Sequence, residues 1–184
     1  FSLKVHGAHN VMNALAAIAL ADTLAIPQDV IAKGLLAFGG TDRRFEYKGQ
    51  LNGISIIDDY AHHPTEIRAT LHAAKEYPHK KLWCVFQPHT YTRTKAFLDE
   101  FADALSLADE IILADIYAAR EKDTLGISSQ TLQGKIEELG HSCHYFPSFE
   151  EIEKFLLENC TKGDLLITMG AGDVVKIAEK LLQK

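Results

Sequence analysis

The chain has 184 residues, 47% of them hydrophobic and 24% charged, with a formal net charge of −6. That length exceeds the common domain size of roughly 100–150 residues and the composition is that of a folded protein, so one full domain plus a smaller piece is expected. The acidic balance leaves no basic footprint and argues against nucleic acid or an anionic membrane as partner, while Cys84, Cys143 and Cys160, odd in number and widely spaced, signal neither a disulfide framework nor zinc and fit a reducing cytoplasm.

The first ten residues, "FSLKVHGAHN", start abruptly in strand-like sequence, with no signal-peptide pattern and no apolar span of about 20 residues, so the chain is expected to be a piece of a longer polypeptide. Residues 10–25 are rich in Ala and Leu without internal Gly or Pro, which predicts a helix, and a second helix is predicted from Pro27 toward Phe38. Asn10 and Asn13 lie three apart at the start of the first helix; Asn10 reads as its N-cap, and the paired amides also suit an adenine edge. Gly39-Gly40 then interrupts the pattern as a hinge or linker, followed by Arg43 and Arg44, which are either surface cations or phosphate clamps.

Beyond the hinge, two strands are predicted around an Asn52-Gly53 turn. Helices over 65–77, 94–107, 128–139, 148–159 and 173–183 then alternate with the strands "KLWCVFQP", "EIILADIY", "CHYFP" and "DLLITMG". Apolar strands alternating with helices predict an α/β fold with a mostly parallel sheet covered on both faces, whose ligands sit outside the carboxyl ends of the strands.

Every chemically rich stretch falls on that one rim. "DDYAHHPTE" (58–66) combines carboxylates that can accept from ribose hydroxyls with imidazoles that can donate to phosphate or carboxylate oxygens; in its bland reading Pro64 and Thr65 open a helix and His62 and His63 are solvated. The adjacent histidines lack the spaced pattern of a metal site. In "FQPHTYTRT" (86–94), His89 and Arg93 are four apart and would share a face if the first helical turn begins there, where the Arg fork suits a carboxylate; the bland reading is a loop with an incidental ion pair. In "MGAGD" (169–173), Gly170 and Gly172 either let backbone approach a ligand at a helix amino terminus or serve packing alone. No GxxxxGK[ST] phosphate loop occurs, so a triphosphate cannot be held by these residues alone.

The ordered set "GAHNVMNALAA", "GGTDRRFE", "DDYAHHPTE", "FQPHTYTRT" and "MGAGD" resembles the Mur ligases of bacterial cell-wall synthesis over essentially the whole chain. The resemblance implies that residues 1–39 are the helical remnant of a central ATP-binding domain and 40–184 a Rossmann-like carboxy-terminal domain that brings in the amino acid. It implies ATP-dependent amide formation between UDP-N-acetylmuramate and L-alanine through an acyl phosphate. By the same likeness, Asn10, Asn13, Arg44 and Asp59 would contact ATP, and Tyr60, His89 and Arg93 would line the L-alanine site. His62, His63, Gly170 and Gly172 remain further substrate or anion contacts. Thr90 departs from the family's pattern, where a second arginine often follows the histidine. The catalytic groups, magnesium ligands and phosphate-loop lysine would lie upstream, so the isolated chain is expected not to ligate. Helix 10–25 would expose an apolar flank prone to self-association. The alternatives are a recycling ligase that adds a preformed tripeptide to the same sugar nucleotide, and a binding module without chemistry.

Overall fold

The computed structural model of the protein describes residues 1–5 and 7–184. They form two compact units, Phe1–Asp42 and Arg43–Lys184. The first consists of helices α1 (Ala8–Thr23) and α2 (Gln28–Ala37), neither with a buried residue. Helix α1 begins after Gly7, whose φ is 94°, and Asn10 donates its N–H to the Gly7 carbonyl at 3.0 Å. Asn10 thus lies inside the first turn and is not the N-cap the sequence suggested. Of the hinge glycines, only Gly40 (φ 101°) occupies backbone space that a Cβ would disfavour.

The second unit is a six-stranded sheet of order β1-β2-β6-β3-β4-β5. Strands β1 (Glu46–Leu51) and β2 (Ile54–Asp59) form an antiparallel hairpin, closed by Asn52 and Gly53 at φ 51° and 84°. Both turn residues are left-handed, as a two-residue turn that matches strand twist requires. All other pairings, among β2, β3 (Leu82–Phe86), β4 (Glu110–Leu113), β5 (Cys143–Tyr145) and β6 (Leu165–Met169), are parallel.

Strand alternation sorts the core into two layers. Leu82, Cys84 and Phe86 face the layer of α3 (Pro64–Lys75), α5 (Leu98–Leu105) and α6 (Ser129–Glu138), with Ile67, Leu71, Phe101, Leu105 and Leu132 fully buried there. Trp83 and Val85 face α7 (Phe149–Asn159) and α8 (Val175–Leu181) through Ile152, Leu156, Ile177 and Leu181. Each such side chain contributes about 1.5–3 kcal/mol by leaving water. The mostly parallel sheet covered on both faces is the architecture expected from the alternating pattern.

Two elements differ from the sequence expectation. The helix expected over 94–107 is two helices, α4 (Tyr91–Ala96) and α5, broken at Phe97 (φ −120°). The Phe97 ring packs edge-on against His63 (4.9 Å) and Phe101 (6.5 Å), so aromatic burial overrides helical continuity. Strand β4 stops at Leu113 because the Ser129 hydroxyl takes the Ala114 carbonyl at 2.6 Å, and the chain rejoins the rim at a single His89–Tyr117 bridge.

Candidate functional site

The site is built on the carboxyl ends of β2, β3, β4 and β6. Strand β2 ends in two buried carboxylates with separate roles. Asp58, 0% exposed, accepts from Arg43 Nε at 2.8 Å and from the Thr168 hydroxyl at 2.7 Å. Asp59, 5% exposed, accepts the Phe45 and Ala61 N–H groups at 2.7 Å each. Burial pushes both carboxyls above the usual aspartate range, against the pull of Arg43 and Thr168 on Asp58 and of the Ala61 and Phe45 N–H groups on Asp59. These bonds hold the "DRRFE" turn, where Arg43 and Phe45 adopt φ 57° and 48°, against "DDYA".

Arg43 closes the structure from below. Its Nη1 and Nη2 donate to the carbonyls of Gly172 (3.1 Å) and Gly170 (2.7 Å), and its carbon Cζ lies 4.9 Å from the Tyr60 ring centroid. A planar fork with several fixed donors suits such bracing. Arg43 is therefore not the phosphate clamp that its neighbourhood suggested, because its donors face protein. Arg44 is exposed, with Cζ 5.7 Å from the same ring.

Above this floor stands a row of rings. Tyr60 and His62 meet edge-on at 5.4 Å, His62 and His89 at 5.7 Å, and His89 stacks on Tyr117 at 5.7 Å with 20° between planes. Arg93 Nη1 approaches His89 Nδ1 at 3.4 Å, but not across a helix face as the spacing suggested: α4 begins at Tyr91, and His89 lies before it in the bridge to Tyr117. Burial first, then the Arg93 charge, holds the His89 imidazole below its ordinary pKa and favours the neutral ring. The first turn of α4 is tied down by Glu121, which accepts from the Thr92 N–H at 2.9 Å and from its hydroxyl. Thr90 sits at φ 67°, an outlier for a β-branched residue, in the chain between His89 and Arg93.

The rim thus brings together Arg44, Tyr60, His62, His89 and Arg93, with Asp59 as their support. His63 serves the helix instead, its Nδ1 accepting the Thr65 N–H at 3.3 Å as the N-cap of α3. Gly170 and Gly172 have a packing reason. A Cβ on Gly170 would stand 2.8 Å from the Gln87 carbonyl, one on Gly172 would overlap Gln87 Oε1 and stand 2.9 Å from the Tyr117 ring, and both glycine carbonyls are taken by Arg43. Asn10 and Asn13 belong to the other unit, where Asn13 is exposed on α1. Sequence reasoning assigns no role to Tyr117 or to the clamp from Glu121; an exposed aromatic just past a buried strand is the available signal for Tyr117.

A sequence model of the family described as "Mur ligase, glutamate ligase domain" matches residues 43–172. The chain belongs to the Mur ligase family. Among individual Mur ligases, it is 67% identical over 99% of its length to a UDP-N-acetylmuramate–L-alanine ligase of Agathobacter rectalis, covering 40% of that protein. The crystal structure of the UDP-N-acetylmuramate–alanine ligase of Thermotoga maritima superposes with a TM-score of 0.82 at 33% identity, over 98% of this chain and 38% of that one. A murein peptide ligase from Psychrobacter arcticus superposes at 0.74 with 29% identity, over 99% of this chain and 38% of that one. The chain therefore spans about 40% of the length of the curated Mur ligases it matches.

Proposed function

We propose that these residues are the carboxy-terminal part of a cytoplasmic, ATP-dependent ligase that joins L-alanine to UDP-N-acetylmuramate through an acyl phosphate. The observation that carries this reading is the His89–Arg93 pair, 3.4 Å apart with His89 stacked on Tyr117, in a chain 67% identical to a ligase named for that reaction. A guanidinium beside a neutral imidazole suits a zwitterionic amino acid: the fork takes the carboxylate, and the uncharged ring does not repel the ammonium. Tyr60 and Tyr117 would wall the small side chain.

For the nucleotide, the Asn10 and Asn13 amides are assigned the adenine edge and Arg44 a phosphate. Asp59 acts through the loops it braces rather than through a free oxygen. Residues 1–39 are assigned to a central ATP-binding domain and 40–184 to the amino-acid domain, with Gly39-Gly40 as hinge. Magnesium is expected with the nucleotide, but among the described residues no group of three or more His, Cys, Asp or Glu side chains fits a metal ion, and no step is assigned to one. No helix among the described residues is long and apolar enough to cross a membrane.

The test is ADP release with ATP, UDP-N-acetylmuramate and L-alanine. The full-length polypeptide that carries these residues is expected to turn over, and residues 1–184 alone are not; steady turnover by the isolated chain would refute the division of labour. The likeness to a murein peptide ligase keeps a second substrate in view, a preformed tripeptide, and competition between it and L-alanine decides between them.

A further inference from the structure

The hydrogen-bond partners of the two rim imidazoles assign opposite tautomers to their neutral rings. His62 Nδ1 lies 3.0 Å from the Tyr60 carbonyl and 3.3 Å from Glu66 Oε2. Both are acceptors, so Nδ1 carries a proton, and in the neutral ring Nε2 is a bare lone pair. Among the described residues nothing hydrogen-bonds that Nε2, and the side chain is 23% exposed. Glu66 also accepts the His62 N–H at 3.0 Å, so the carboxylate that holds the backbone of this residue also lies beside its ring. His89 is the reverse. Its Nδ1 faces Arg93, which can only donate, so Nδ1 accepts and Nε2 carries the hydrogen.

We propose that His62 is the general base for the incoming amine, with Glu66 as its positioning residue, while His89 and Arg93 bind and orient the amino acid. This rests on the ligase reading above. An amino acid arrives as an ammonium and has no lone pair with which to attack. The ammonium gives one proton to His62 Nε2, and the imidazolium so formed is stabilised by Glu66 across the ring, the base-and-orienter arrangement of acyl-transfer sites. The freed pair forms the C–N bond to the acyl carbon. The C–O bond to phosphate breaks with its electrons on the leaving oxygen, and the second surplus proton on nitrogen departs with the phosphate. His89 does not suit this role in the tautomer that Arg93 assigns it, since its neutral ring offers Nε2–H toward any ligand.

The test uses the full-length polypeptide and two nucleophiles: L-alanine, an ammonium near neutral pH, and hydroxylamine, which is already neutral there and needs no base. His62→Gln is expected to lose about 10²–10⁴-fold in alanine-dependent rate while hydroxamate formation stays within about threefold of wild type, which also reports an intact fold and acyl-phosphate step. Glu66→Gln should show a smaller loss with the same selectivity. Alkaline pH should restore much of the His62→Gln rate as the amine deprotonates by itself; Tyr60, Glu66, His89 and Arg93 face this ring and are unaltered in that variant. Equal rates with L-alanine in His62→Gln and wild type, or equal loss with both nucleophiles, overturns the assignment alone. A wild-type polypeptide that releases no ADP with L-alanine yet forms hydroxamate overturns the alanine reading as well.

Discussion

Arg43 and Asp58 form a charge-assisted bond of 2.8 Å whose carboxylate is 0% exposed, and the same guanidinium reaches the carbonyls of Gly170 and Gly172. One side chain thereby ties the entry of the domain to the loop after its last core strand. Arg43→Ala should cost about 2–4 kcal/mol, somewhat under the figure for breaking a fully buried pair because Arg43 is 22% exposed. Arg43→Lys should recover only part, since an ammonium cannot copy the fork. Urea unfolding followed on Trp83, the only tryptophan and 4% exposed, measures this. An unchanged midpoint for Arg43→Ala would contradict it.

His89 should titrate below the ordinary value of 6.5. Burial is the larger cause and the Arg93 charge the next, so Arg93→Gln should move the titration upward without restoring it fully. The sign for stability is fixed by the same shift. Between about 6.5 and the lower folded value the unfolded chain binds a proton that the native chain does not, so this group's contribution is lost as pH falls through that window. Ring-proton NMR, assigned with His89→Gln, checks the direction.

Gly172→Ala drives a methyl into Gln87 Oε1 and to 2.9 Å from the Tyr117 ring. The expected cost is about 1–3 kcal/mol from overpacking. Because Tyr117 stacks on His89, weaker L-alanine binding should accompany it. A variant of wild-type stability and affinity would show that the loop yields freely.

Helix α1 presents Val11, Met12, Leu15 and Leu20, each more than half exposed. Residues 1–184 in isolation are expected to self-associate with rising concentration, and Met12→Glu with Leu15→Glu to abolish it. Sedimentation over a concentration series reads the outcome; a monomer at every concentration would contradict the prediction.

The sheet and its rim were legible because buried parallel strands leave unbroken apolar runs such as "LWCVF" and "LLITM", and the residues just after each run must lie on one edge. The hairpin was legible because Asn52-Gly53 is turn chemistry. The break at Phe97 was not, since it depends on packing against His63 and Phe101, which no local pattern announces. Likewise, Arg43 and Arg44 are adjacent and carry the same signal in sequence. Only the placement of Asp58, Gly170 and Gly172 turns one inward as a brace and leaves the other at the surface.

The central claim is that the rim holds an amino-acid carboxylate on Arg93, and its most direct measurement is the KM for L-alanine of Arg93→Gln in the full-length polypeptide. Loss of one charged hydrogen-bonding partner predicts a rise of about 10- to 100-fold, with the KM for ATP within about twofold of wild type. An unchanged KM for L-alanine, or an equal rise for both substrates, would contradict the account.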